Sequence, residues 1–335
     1  MRLRRSDPAK PGYTRRRSGR GFRYLDRTGQ PLTDPAELER IQALVIPPAW
    51  RDVWICADPK GHIQAVGIDA AGRRQYRYHD QWRVQRDAAK FDHVLEVGAH
   101  LPKVRTLVAE HLRARGYGRE RVLAAAVRLL DVGCFRIGGE EYASGEDATF
   151  GLATLRREHV AVVRGAVRFC YPAKGGVQRT IDVVDEPVRR VVRGLLRRDS
   201  DHAELLAYRA GATWSDVRSA DINAYLREIS GIDISAKDFR TWNGTVLAAT
   251  LLATAELERG KRPAGATVRK RAVSRAMKDV AEYLGNTPTV ARASYVDPRV
   301  VDLYLDGTTI AAALPDPGAD EQETIERAVL EMLEV

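Results

Sequence analysis

The chain has 335 residues, is 44% hydrophobic and 30% charged, and carries a formal charge of +9, a balance that suits two folded domains and a polyanionic partner. Only nine of its 54 basic residues are lysine, so the cationic surface is mostly guanidinium, and phosphate backbone is the partner it favours. Disorder and membrane spanning are excluded: no run approaches the apolar length of a spanning helix, and Met1-Arg2-Leu3-Arg4-Arg5 has no apolar segment behind it, so a cytosolic or nucleoid location is expected.

Residues 1–22 have Arg15-Arg16-Arg17 at their centre and no apolar periodicity, and are expected to form a flexible basic arm. Residues 23–88 read as a small β-rich domain. A helix predicted over 35–44 is stopped by Pro47-Pro48, and strands are predicted at 53–56, 63–68 and 75–78, separated by Asp58-Pro59-Lys60-Gly61 and Asp69-Ala70-Ala71-Gly72. The last strand alternates cations with aromatics, which suits it to lie along phosphates. Its Arg73, Arg74, Gln75, Tyr76 and Tyr78 are therefore candidate nucleic-acid contacts, against the plainer reading of a solvated sheet face.

Residues 89–335 read as mainly helical. Amphipathic spacing predicts helices at 103–115 and 119–130, then a glycine turn through Arg136-Ile137-Gly138-Gly139. A second sheet is predicted from runs at 159–164, 166–171 and 177–183, with Lys174 at the tip of the Pro172-Ala173-Lys174-Gly175-Gly176 hairpin. Helices follow at 189–197, 216–228, 245–259 and 266–284, and an acidic amphipathic helix at 320–335 ends the chain. The fold class is α+β. Cys56, Cys134 and Cys170 stand singly and read as reduced small hydrophobes rather than a disulfide or zinc framework.

Tyr295 follows a helix stop at Leu284-Gly285 and a helix-opening Thr287-Pro288 pair. A phenol ordinarily ionises near pH ~10, so its attack on a phosphodiester needs cations that favour the phenolate and neutralise the phosphoryl oxygens. Arg136 and Arg240 suit that task, since a guanidinium stays charged and presents a planar fork. Lys174 can protonate the leaving 5′ oxygen, and Asn286 can add a neutral hydrogen bond. Each has a dull alternative: Arg136 can pair with Glu140, Arg240 can cap a helix, Lys174 can be an ordinary hairpin-tip lysine and Asn286 a helix stop.

In their order these segments resemble the type IB DNA topoisomerases of the small bacterial and poxvirus-like group. The matching stretches are Ile46-Pro47-Pro48-Ala49-Trp50, Gly72 to Tyr78, Arg136-Ile137-Gly138 with Tyr142-Ala143, Thr149 to Leu155, Lys237-Asp238-Phe239-Arg240-Thr241 and Asn286 to Tyr295. The resemblance implies two lobes that close on duplex DNA. It makes Tyr295 the nucleophile of a 3′-phosphotyrosyl intermediate, Arg136 and Arg240 the phosphate clamp, and Lys174 the general acid. Tyr142 and Lys237 join the candidate DNA contacts. Two positions depart from the family pattern: Asn286 stands where many members carry histidine, and Ala173 precedes Lys174 where glycine is expected.

The expected partner is duplex DNA, met by a monomer without a membrane, metal, ATP or other cofactor. No Gly-rich loop ending in Gly-Lys-Ser/Thr is present, and Asp199-Ser200-Asp201 reads as a helix-start turn rather than a magnesium site. Two rivals stay open. A tyrosine recombinase has a similar Arg, Lys, Arg and Tyr set and would exchange a C-terminal element between protomers; a non-catalytic DNA-binding protein would only pack Tyr295.

Overall fold

In a computed structural model, which describes residues 2–260, 265–314 and 321–334, the chain divides into two units, Met1–Asp92 and His93–Val335. The first holds five antiparallel strands, β1 (Tyr13–Ser18), β2 (Gly21–Leu25), β3 (Arg51–Ile55), β4 (Ile63–Ile68) and β5 (Arg74–Tyr78), in the order β2-β1-β3-β4-β5. Helix α1 (Pro35–Ala43) opens on Asp34, whose carboxylate accepts the Ala36 N–H at 2.9 Å, with Pro35 preset for the first turn. It lays Ile41 against Val53, Ile55 and Ala65, a small core that one sheet face and one helix can close.

The expected flexible arm is corrected by β1. Tyr13 and Thr14 pair with Ile55 and Trp54, and the rest of the strand pairs only with β2. A ribbon with solvent on both sides of its outer half needs no apolar alternation, so its arginines hid it. Arg15 is structural: its guanidinium donates to the carbonyls of Ile46, Pro47 and Trp50 at 3.0, 2.9 and 2.8 Å and lies 4.1 Å over the Phe22 ring.

Helix α2 (Asp80–Arg113) is much longer than predicted. Pro102, one residue before the predicted stretch, lies inside it. In the second unit α3 (Arg119–Gly133) is the central element, with Val122, Leu123, Ala126, Val127 and Leu130 all buried. It packs against α4 (Glu186–Leu196), α5 (Ser219–Ser230) and α6 (Ala236–Arg259). A three-stranded sheet, β6 (Val160–Val163), β7 (Ala166–Ala173) and β8 (Val177–Val183), follows the predicted hairpins.

Helices α7 (Ala266–Leu284), α8 (Pro288–Ser294) and α9 (Pro298–Asp306) lead to the terminal α10 (Glu321–Leu333). The expected tail helix ran from 320 to 335, and its end residues Asp320 and Val335 lie outside the described residues. Helix α10 packs on α6 of its own chain, and Arg105 of α2 donates to Glu326 at 2.6 and 2.8 Å and to Asp131 at 2.9 Å through two nitrogens. Burying one cation between two carboxylates satisfies all three without leaving a lone charge in the interior.

Other readings change. A hairpin of β9 (Ala207–Ala210) and β10 (Thr213–Asp216) occupies a stretch with no strand prediction, Asp199–Asp201 lies in the loop after α4 rather than at a helix start, and α6 begins nine residues before 245. Cys56 and Cys134 are buried as expected, whereas Cys170 is exposed on the outer face of β7.

Candidate active site

The last turn of α7 organises the site. Gly285 takes φ +61°, a left-handed conformation that glycine adopts without a Cβ penalty. The Asn286 N–H then reaches back to the Ala281 carbonyl at 2.8 Å and the Gly285 N–H to the Glu282 carbonyl at 3.0 Å. This double bond pattern fixes the backbone of Asn286 from local sequence alone. The carbonyls of Tyr283, Leu284 and Gly285 remain without helical partners, at the negative end of the helix dipole.

Three guanidinium groups take those carbonyls. Arg240 donates to Leu284 at 2.7 Å and to the Cys134 carbonyl; Arg179 donates to Leu284 at 2.8 Å and Tyr283 at 2.9 Å; Arg136 donates to Gly285 at 2.9 Å and to Oδ1 of Asn286. Burial, and then the neighbouring guanidinium of Arg240, push the pKa of Arg136 below its ordinary value, and burial likewise lowers that of Arg179. The helix end thus offsets the mutual repulsion of the cations and aims them. Two donors are left over: Nε of Arg240 and Nδ2 of Asn286 are buried and meet no acceptor among the described residues.

Tyr295 sits just past α8, which Thr287 caps by accepting the Val290 N–H, with Pro288 at its first position. Its half-buried ring lies 5.1 Å from the Arg240 guanidinium carbon, and one turn further along α6 its carbonyl accepts from the Thr245 hydroxyl at 3.4 Å. Gly244 permits this approach, since a Cβ there would lie 2.6 Å from the Tyr295 carbonyl oxygen. Gly244→Ala is therefore expected to displace the tyrosine backbone at a cost of about 1–3 kcal/mol, read as a lowered urea midpoint of unfolding.

Arg136 is supported from below. After Cys134 closes α3 and Phe135 stacks in the core against Phe169 and Tyr171, the carbonyls of Arg136 and Ile137 accept from Leu152 at 2.8 Å and Ala153 at 2.7 Å. The Thr149–Leu155 stretch thus straps the backbone that carries Arg136. Glu140 does not pair with Arg136; it accepts the Ser219 N–H at 2.9 Å, at the start of α5. Lys174 is exposed on the β7–β8 turn, which the Gly176 N–H closes onto the Ala173 carbonyl at 2.9 Å.

Arg136, Lys174, Arg179, Asn286 and Tyr295 line one groove of about 930 Å³. Arg240 closes it from beneath through the tyrosine ring. Sequence reading missed Arg179, whose only local signal is a cation on a strand five residues after Lys174. Lys237 is exposed in the first turn of α6, and Tyr142 is exposed on a short 3-10 turn; neither lines the groove. The β5 candidates belong to the first unit. There Tyr76 and Tyr78 stack at 6.0 Å, Arg74 lies 5.7 Å from the Tyr76 ring, and Asp69 holds both Arg73 and Gln75.

Residues 79–304 match the family model described as "Eukaryotic DNA topoisomerase I, catalytic core", and residues 21–69 match "Bacterial DNA topoisomerase IB, N-terminal domain". The chain belongs to the type IB DNA topoisomerases. It is similar to the DNA topoisomerase 1B of Acanthamoeba polyphaga mimivirus, 27% identical over 300 residues that cover 88% of this chain and 87% of that protein. The DNA topoisomerase 1B of Vaccinia virus (strain Copenhagen) is 22% identical over 246 residues, 72% of each chain. The catalytic-core match of this type IB topoisomerase takes in the whole groove, while residues 70–78 fall between the two matches and α10 lies beyond both. Among the described residues no helix is long and apolar enough to cross a membrane.

Proposed function

We propose that this enzyme relaxes supercoiled duplex DNA by cutting one strand through a 3′-phosphotyrosyl intermediate and resealing it, without ATP or a metal. The observation that carries the reading is the pair of buried donors without acceptors, Nδ2 of Asn286 and Nε of Arg240, beside the Tyr295 ring. Non-bridging phosphate oxygens are acceptors of the charge that such a site selects.

Tyr295 Oη attacks phosphorus as its proton leaves to solvent. Arg136 and Arg240 spread the charge that develops on the phosphoryl oxygens, and Asn286 donates a neutral hydrogen bond to one of them. The P–O5′ bond breaks as Lys174 gives a proton to the 5′ oxygen. The freed 5′-hydroxyl end swivels and then attacks the phosphotyrosine, returning its proton to Lys174. The ester keeps the bond energy, so no nucleotide is consumed. The stacked Tyr76 and Tyr78 with Arg74 suit contacts to the duplex from the first unit, and Arg73, Gln75, Tyr142 and Lys237 are further candidates.

A nicked oligonucleotide that sheds its short 5′-hydroxyl fragment after cleavage tests this chemistry. In EDTA and without ATP it should leave the 5′-labelled strand covalently attached after SDS, with the adduct on the peptide containing Tyr295. An adduct on another residue, or none, would refute the assignment. Against the recombinase rival stands the first unit, where residues 21–69 match the N-terminal domain of bacterial DNA topoisomerase IB.

A further inference from the structure

The His202, Glu204 and Asp216 cluster, the arginine-rich cleft beside α2 and α4, and the β7–β8 hairpin are three charged features of the second unit. The hairpin carries the strongest geometry. Arg179 lies on β8, on the strand that returns from the Lys174 turn, and its cross-strand partner is the buried Tyr171. Its two terminal nitrogens donate to successive carbonyls at the end of α7, Tyr283 and Leu284, at 2.9 and 2.8 Å. Those carbonyls immediately precede Gly285 and Asn286.

We infer that Arg179 is a positioning residue that fixes the Lys174 hairpin to the α7 terminus, and so sets the proton donor in register with the phosphate-binding donors. This rests on the proposed role of Lys174 as the acid. A three-residue turn closed by a single backbone bond has little to hold its tip; a planar fork on two carbonyls, with strand and helix end both anchored in the core, supplies the missing constraint. The fit is close enough to restrict the helix end as well: a Cβ on Gly285 would come within 2.4 Å of Nη1 of Arg179. A lysine at 179 would keep the charge yet span only one of the two carbonyls. Arg179, like Arg240, gives both terminal nitrogens to backbone carbonyls, whereas the contacts of Arg136 with Gly285 and Asn286 both run through one nitrogen.

The test compares Arg179→Lys and Arg179→Gln with Lys174→Ala on two substrates, an ordinary cleavage-site duplex and one whose bridging 5′ oxygen is replaced by sulfur. A thiolate leaves without being protonated, so a defect in acid placement vanishes on the sulfur substrate. Arg179→Lys should slow cleavage of the oxygen substrate by about 100-fold, as a misplaced catalytic group does, and cleave the sulfur substrate at close to the wild-type rate. Equal slowing on both substrates, or none on either, would overturn the inference. Hydrogen exchange reads the bracket independently of catalysis. Amides of 174–178 should exchange faster in both Arg179 variants while those of α3 stay protected, and an unchanged hairpin overturns the inference whatever the rates. If Lys174→Ala cleaves the oxygen substrate normally, the acid assignment falls, and the hairpin exchange still decides the bracket.

Discussion

Tyr295→Phe is expected to bind duplex DNA as tightly as the wild type and to leave supercoiled plasmid unrelaxed. Only one oxygen is lost. The ring keeps its place over Arg240, and the backbone contact of its carbonyl with Thr245 does not depend on the hydroxyl. Fold and DNA binding should therefore survive, while the proposed nucleophile is gone, and on that reading a rate loss of at least about 10⁴-fold follows because no covalent route remains. A topoisomer ladder after incubation in EDTA, compared with filter binding of the same preparation, measures both. Residual relaxation within tenfold of wild type would mean that another group attacks the phosphodiester. Parallel loss of binding would mean that the hydroxyl holds the site together rather than reacting.

Arg240→Ala should lose in both activity and stability, and the two losses can be separated. The side chain is 2% exposed and joins the Cys134 carbonyl, at the end of α3, to the Leu284 carbonyl at the end of α7. Truncation strands the Cys134 carbonyl, leaves the Leu284 carbonyl to Arg179 alone and opens a void under the Tyr295 ring, for a cost of about 3 kcal/mol. Removing a cation aimed at a developing oxyanion costs a further factor of about 10³ in the cleavage step. Arg240→Lys keeps the charge but cannot satisfy both carbonyls and still present a third donor. It should recover part of the stability, read as a urea midpoint, and remain about 100-fold slow in single-turnover cleavage. A lysine variant that cleaves at the wild-type rate would show that charge alone is required there.

The end of α7 and the start of α8 were legible because their information is local: Leu284-Gly285-Asn286 spells a left-handed stop, and Thr287-Pro288 spells a cap. The β7–β8 hairpin was legible for the same reason, through Gly175-Gly176 between two alternating runs. Helix α2 was read short because only its later part was picked out by amphipathic spacing; Pro102, a breaker by propensity, lies within it, and Leu101, Val104 and Val108 pack in the core on either side. Strand β1 was lost among its arginines, whose use as carbonyl donors is visible only once Ile46 and Trp50 are brought beside Arg15. Arg136 and Arg240 could be picked out by their surroundings in the chain. Nothing near Arg179 announces partners more than a hundred residues away, and separations of 44 to 149 residues hid the fact that all three guanidinium groups share one helix end.

That sharing makes the chemistry and a single helical turn one cooperative opening unit. If the last turn of α7 frays, the acceptors of Arg136, Arg179 and Arg240 at that helix end are lost in the same event, so under the proposed mechanism an opened molecule is wholly inactive rather than partly impaired. The amides of Gly285 and Asn286, bonded to Glu282 and Ala281, report that opening directly. Their exchange rates measure the standing fraction of enzyme molecules unable to cut, and a substitution anywhere that loosens this turn lowers turnover in proportion to that fraction.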